Sequence, residues 1–344
     1  MTEGIATPGA GWRRADGWVG KKGGKRRRSG RRAVGEVTMV DEAEFTSYYD
    51  RPIIKAPVWK SPDVPLYLFL GGAAGTSSVL GAFADLSGRP RLAKVTRVTA
   101  GGGALASVVF LVHDLGRPER FLHMLRVIKP TSALSVGTYI LSPFSALTAA
   151  TAAAEVLGWF PRLRRASGLG AAVFGGPMAT YTAVLLANTA VPSWRAFHEK
   201  LPFVFAGSAM AAGGGIAMVF TPVGEAGPAR TMAATGAAIE LAVVRGVEES
   251  GGIESEPYHL GRAGKLMRAA KTCTAAGLGL NVLAGRTRLG SIASGTLLAA
   301  GSLLTRFGVF DAGMASARDP KYTVVPQRER MAARENGHVP TVTR

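Results

Sequence analysis

The sequence predicts an all-α fold: a polytopic integral membrane bundle of about eight transmembrane helices. Three observations carry this. First, apolar runs of about 20 residues recur through the middle of the chain, the length a helix needs to cross a hydrocarbon layer of roughly 30 Å. Second, short basic connectors separate them. Third, most runs lack the charged face, repeating at helical period, that surface helices of a soluble bundle display. The mean hydropathy of +0.17 conceals a sharp division. Residues 1–60 read as a basic, largely disordered tail with an interfacial segment, residues 61–312 as the membrane domain, and residues 313–344 as a polar tail.

In order along the chain, GWRRADGWVGKKGGKRRRSGRR (residues 11–32) is rich in Gly, Arg and Lys and has no hydrophobic periodicity, so it is expected to be disordered. Arg13-Arg14 resembles the start of a twin-arginine export signal, but no hydrophobic region with a small-residue cleavage site follows closely. The stretch DEAEFTSYYDRPIIKAPVWKSP (residues 41–62) turns amphipathic and proline-punctuated. It is read as interfacial, with Trp59 as an aromatic anchor.

The first span is read over residues 64–84, where Gly71 and Gly75 form a Gly-x-x-x-Gly face for close helix contact. Tyr67 precedes Gly71 by one turn and shares that face. The second span covers residues 95–113, the third 133–157, the fourth 169–191 and the fifth 201–220 with its Gly213-Gly214-Gly215 run. Three weaker stretches follow: 229–247 with Glu240, 266–284 with Lys271, Cys273 and Asn281, and 289–310 with Arg306. The sixth and seventh are the least apolar. Connectors on the two sides carry similar numbers of Lys and Arg, so the ten within residues 13–32 decide orientation: both tails are expected in the cytoplasm.

The formal charge of +18 raises nucleic-acid binding as a function. The excess sits in the tail and beside the spans, however, as in many inner-membrane proteins, which argues against a nucleic-acid partner. One cysteine, Cys273, allows no intrachain disulfide, no iron–sulfur cluster and no Cys-based zinc site. Of five histidines only His113 lies at the edge of a strong span, so no haem and no metal site is predicted.

The stretch HDLGRPERFLHMLRVIKPTSALSVGTYIL (residues 113–141) is the densest polar knot between two spans, and charged groups wedged at the membrane boundary are either functional or interfacial. His113 and Asp114 can relay protons where a span meets water. Asp114 can equally pair with Arg117 or cap a turn around Gly116-Arg117-Pro118. Arg117 and Arg120 can dock an acidic partner face. Glu240, near the middle of the sixth span, must face a partner or water. It serves either a proton path or structural pairing, with Arg306 and Lys271 as candidate partners. Asn188 and Asn281 are read as interhelical hydrogen bonds.

Five motifs in order make the reading specific: LYLFLGGAAG (residues 66–75), HDLGRPERFLHML (113–125), TSALSVGTYIL (131–141), YTAVLLANTAVPSW (181–194) and LPFVFAGSA (201–209). Together they resemble the NrfD family, the polysulfide reductase membrane subunits, over about residues 60–310 and most strongly over 64–210. The resemblance implies a bundle of eight or more helices, not catalytic by itself. Such a bundle anchors an iron–sulfur ferredoxin-type subunit joined to a molybdopterin-type catalytic subunit and passes electrons to or from a quinone, expected to be menaquinone. In the family the quinone is contacted from the start of the first span, including a His just ahead of the Gly-rich stretch. Here that place holds Tyr67, and Val64 stands for a polar neighbour. The expected quinone site is therefore Tyr67, His113 and Tyr139. The competing readings are a proton- or ion-translocating module built on Glu240 and Arg306, and a purely structural anchor.

Overall fold

The computed structural model describes residues 53–335, apart from 118, 127, 159, 250 and 251; the basic N-terminal tail and the end of the C-terminal tail lie outside the described residues. The helices are α1 (Asp63–Leu86), α2 (Pro90–Asp114), α3 (Glu119–Met124), α4 (Ala133–Leu157), α5 (Pro161–Ala187), α6 (Pro192–Ala196), α7 (Leu201–Phe220), α8 (Gly227–Glu248), α9 (Gly261–Ala284), α10 (Arg288–Arg318) and α11 (Lys321–Glu335), with a 3₁₀ turn at Ile253–Tyr258 between α8 and α9. No strand occurs among the described residues.

The starts and stops are local. Proline opens α2, α5 and α6, where its missing N–H has no intrahelical partner to lose. Gly158 closes α4 in the left-handed region (φ 67°), and the Thr287 hydroxyl accepts the Gly290 amide to cap α10. Several bounds differ from the sequence reading: α2 opens at Pro90 rather than at residue 95, α9 at Gly261 rather than at 266, and α5 ends at Ala187 rather than at 191. The basic stretch before the fourth span is already helical from Pro161, because arginines at a helix end extend to the interface while their backbone stays helical. The last span runs eight residues past Phe310, to Arg318.

A helix forms at each of the eight expected places. Six of them, α1, α2, α4, α5, α7 and α10, are long and apolar enough to cross a membrane. The helices α8 and α9 fall short on composition, since they carry Arg230, Glu240 and Arg245, and Arg262, Lys265, Arg268 and Lys271. They nevertheless pack lengthwise on α7 and α10.

Consecutive long helices pair as hairpins, and α1 and α7 occupy the middle, touching each other and helices of both halves. Small residues allow this. A carbon added to Gly213 would strike Thr76 of α1, one on Gly214 would strike Ala233 of α8, and one on Gly215 would strike the Gly295 carbonyl of α10. Three successive glycines thus admit three different helices. Gly75 lies against the backbone of Gly175 of α5, and Gly71 against Met178 of α5 and Ser107 of α2. The predicted Gly-x-x-x-Gly face is therefore the α1–α5 crossing.

The outward faces carry Val98, Leu105, Val109, Val136, Val173, Val184 and Phe203, all exposed. Apolar outside and small or hydroxylated inside is the arrangement that lipid favours and water does not. At one end, here the far end, the helices are joined by short turns and tied by Arg97, which bonds Asp85 at 2.7 Å and Glu155 at 2.8 Å. At the other, the near end, lie the start of α1, the ends of α2 and α10, and the long connectors with α3, α6 and the 3₁₀ turn.

Candidate functional site

The near end is built around a tryptophan. Proline opens α6, and the short helix turns Trp194 into full burial, where its indole N–H donates to the Val309 carbonyl at 2.8 Å. Gly313 leaves room for the ring; a side-chain carbon there would overlap it. Trp59 stacks on Trp194 at 5.6 Å and Phe310 lies at 6.1 Å. The 3₁₀ turn is fastened from the same place: Ser193 donates to the Glu254 carbonyl at 2.8 Å, and Tyr258 donates to the Ser193 carbonyl at 3.2 Å. Burial pushes the Tyr258 phenol up, so it stays a neutral donor. Trp59, read as an interfacial anchor, is also the packing contact that lays the approach to α1 across this end.

That approach brings together what the sequence separates. The amide of Lys60 donates to Asp114 Oδ1 at 2.8 Å. Asp63, in the first turn of α1, meets His113 Nδ1 at 2.7 Å. The carboxylate is nearly buried while the imidazole is mostly exposed, 8% against 72%. His113 is therefore held in place by Asp63 rather than by its sequence neighbour. Asp114 makes no ion pair with Arg117 among the described residues; Arg117 is exposed beside Gly116, whose φ of 69° makes the turn. Arg120 lies in α3, with its side chain outside the described set.

One turn below Asp63 on α1 lies Tyr67, buried, its backbone carbonyl accepting from Ser107 at 3.0 Å. Its hydroxyl has no hydrogen-bond partner among the described residues, which is uncommon for an enclosed tyrosine. Tyr181 of α5 lies within electrostatic reach of it, and its hydroxyl is likewise without a partner among them. The Tyr181 ring is pressed against Gly137 of α4, where no side chain would fit. It also lines a cleft of about 630 Å³ between α4 and α5, together with Thr131, Ile140 and Asn188. Tyr139 stands apart: its hydroxyl donates to the Leu125 carbonyl at 2.8 Å and so fixes the connector after α3.

A second polar group lies deeper. Glu240 is buried and accepts from Thr305 at 2.5 Å. Arg306, also buried, donates to the Phe205 carbonyl at 2.9 Å and lies 3.7 Å above the Phe205 ring. Glu240 and Arg306 attract each other electrostatically without a direct ion pair. Among the described residues Glu240 Oε2 and Arg306 Nε and Nη1 make no hydrogen bond, with Ser208 a further hydroxyl facing the carboxylate. Lys271, the other candidate partner of Glu240, bonds Glu248 at 2.7 Å instead. Arg306 rests against Gly72 of α1, five residues along from Tyr67, or about 7.5 Å at helical rise. Asn281 bridges helices by donating to the Arg230 carbonyl at 3.0 Å. No cluster of three metal-ligating side chains occurs among the described residues.

Sequence reading missed Asp63, Lys60 and Tyr181. The first two sit ahead of or at the start of a span, where a carboxylate and a lysine look interfacial. Tyr181 was visible within the YTAVLLANTAVPSW motif, but only the fold shows which way its ring faces.

Six membrane-length helices with lipid-compatible outer faces and a polar cluster at one end define a multi-pass membrane protein. The family model described as polysulphide reductase, NrfD, matches residues 54–224, and over that stretch the chain belongs to the NrfD family, membrane subunits of polysulfide reductase-like complexes. The match runs from the Trp59 approach to just past α7. It includes Tyr67, His113, Tyr139 and Tyr181, but not Glu240 or Arg306. No curated protein matches the chain significantly.

Proposed function

We propose that this chain is the quinone-interacting anchor of a multi-subunit oxidoreductase in the cell membrane, with both tails cytoplasmic. It exchanges electrons between a partner's iron–sulfur clusters and a quinone, expected to be menaquinone. The observation that carries the reading is the pair of partnerless hydroxyls, Tyr67 and Tyr181, one turn below the Asp63–His113 pair.

A quinone carbonyl needs a hydrogen-bond donor, and either phenol can supply one. The α4–α5 cleft has the volume and the apolar walls for a ring with a lipid tail. The quinone supplies the two-electron, two-proton redox chemistry; the chain supplies binding, orientation and a proton route. His113, exposed on one side and bonded to Asp63 on the other, is placed to pass protons between water and the site. Tyr139, with its hydroxyl already engaged, supports the fold of the connector in this reading. Arg117 and Arg120, beside the same end, are the docking residues for an acidic ferredoxin-type subunit, itself joined to a molybdopterin-type catalytic subunit.

Glu240 and Arg306 favour a second reading, in which the anchor also moves protons, because an ionisable group inside a span with polar atoms left unsatisfied is a functional hypothesis by default. The test is quinol oxidation by the complex purified from membranes. Tyr67→Phe and Tyr181→Phe should each lower the rate and together abolish it, with subunit composition unchanged. Unaltered kinetics in the double variant would overturn the site.

A further inference from the structure

At the far end, away from the site above, an open groove of about 740 Å³ runs between α1 and α8. Arg89, Arg230 and Arg286 stand at its mouth, contributed by the α1–α2 connector, the start of α8 and the α9–α10 connector. Phe83, Leu80 and Met232 form its wall, and Met210, halfway along α7, closes its inner end. From Gly227 to Thr235, both lining the groove, α8 advances about 12 Å at helical rise. This is close to half of a hydrocarbon layer of roughly 30 Å. The groove is thus one leaflet deep, apolar inside and cationic at the surface.

The acids at this end are already committed. Asp85 bonds Arg97 and Arg165, and Glu155 bonds Arg97 and Arg164. Glu225 accepts the amides of Arg91 and Leu92 at the start of α2. Among the described residues, Arg89 and Arg286 have no acidic partner, and Arg230 uses one nitrogen on the Val223 carbonyl at 3.1 Å.

From this charge and depth we infer that the groove binds one anionic phospholipid, with the phosphate among the three arginines and an acyl chain along Phe83 and Met232. Basic pockets between transmembrane helices hold anionic headgroups on the cytoplasmic side of membranes. The same charge chemistry applies at this end, which the proposed orientation puts on the opposite side, and guanidinium groups suit phosphate oxygens better than a point charge does. The site clamps α1, the helix that carries Tyr67, against α8, the helix that carries Glu240.

The test uses the full chain in detergent, stripped of lipid and offered phosphatidylglycerol or phosphatidylcholine with the same acyl chains. Native mass spectrometry counts the lipids retained, and a thermal melt reads their effect. The wild type should retain one phosphatidylglycerol and melt higher with it. Arg89→Gln combined with Arg286→Gln should lower that preference by roughly tenfold or more, the scale of two basic side chains at an anionic surface. Arg162→Gln, an exposed arginine outside the groove, should leave it intact. Equal retention of the two lipids by the wild type, or an undiminished preference in the double variant, would overturn the inference. So would equal stabilisation by glycerol phosphate, since the acyl wall would then be idle. Should the double variant fail to fold, Arg286→Gln alone, on an exposed connector, gives the same reading at reduced amplitude.

Discussion

Asp63 and His113, fifty residues apart in sequence, close the start of α1 onto the end of α2 through a 2.7 Å contact between a buried carboxylate and an exposed imidazole. The contact fixes the ring and, with the Lys60–Asp114 bond, holds the approach segment across the near end. Asp63→Ala should release both. A hydrogen bond to a charged group contributes about 1.5–3 kcal/mol, so the variant should melt lower by a comparable amount. It should also be cleaved faster by trypsin at Lys55 and Lys60, and unchanged cleavage would contradict the clamp.

Tyr67→Phe separates function from folding. The hydroxyl bonds nothing among the described residues, so stability should change by less than about 0.5 kcal/mol, the range of a substitution that disturbs no contact. Electron exchange with an added quinone should fall by up to about tenfold, the kinetic equivalent of losing one hydrogen bond of about 0.5–1.5 kcal/mol. Stability and rate falling together would mean that the hydroxyl is structural.

Trp194→Ala removes the ring on which Trp59 and Phe310 pack, and truncating a buried aromatic costs about 3–5 kcal/mol. Gly313→Ala should also destabilise, by about 1–3 kcal/mol from overpacking, because the added carbon overlaps the same indole. Combining the two should cost less than the sum of the single losses, since removing the ring makes room for the methyl group. A thermal-melt double-mutant cycle in detergent checks this.

Glu240 distinguishes a path from a scaffold. Glu240→Gln keeps an acceptor for Thr305, whereas Glu240→Leu leaves that hydroxyl only its bond to the Gly301 carbonyl. Both remove the carboxylate that faces Arg306, so the leucine variant should be the less stable of the two by about 0.5–1.5 kcal/mol, one hydrogen bond. If the group moves protons, Glu240→Gln slows proton uptake by reconstituted vesicles while electron transfer to quinone continues. Normal uptake in Glu240→Gln leaves the pair a structural one.

Gly213→Val forces α7 away from α1 at Thr76. Because the two central helices have no slack there, the expected result is loss of the folded bundle, read as aggregation on size-exclusion chromatography.

Much of the fold was legible in the chain because lipid imposes a simple rule: a helix that satisfies its own backbone and is apolar over about 20 residues crosses. That rule placed α1, α2, α4, α5, α7 and α10, and the Gly71–Gly75 face identified a close crossing. It blurred at α8 and α9, whose charged side chains lower the average while pairing inside the protein or reaching its ends. The sequence alone determined the class and the family motifs. Only the tertiary structure decided which partners meet. It gave His113 to Asp63 and Asp114 to Lys60, left the Tyr67 and Tyr181 hydroxyls without a partner among the described residues, and engaged Tyr139. The physical reason is one of range. Crossing a membrane is decided residue by residue along one helix, whereas a hydrogen bond between helices depends on rotation and depth, which are set by the fit of small residues across the whole bundle.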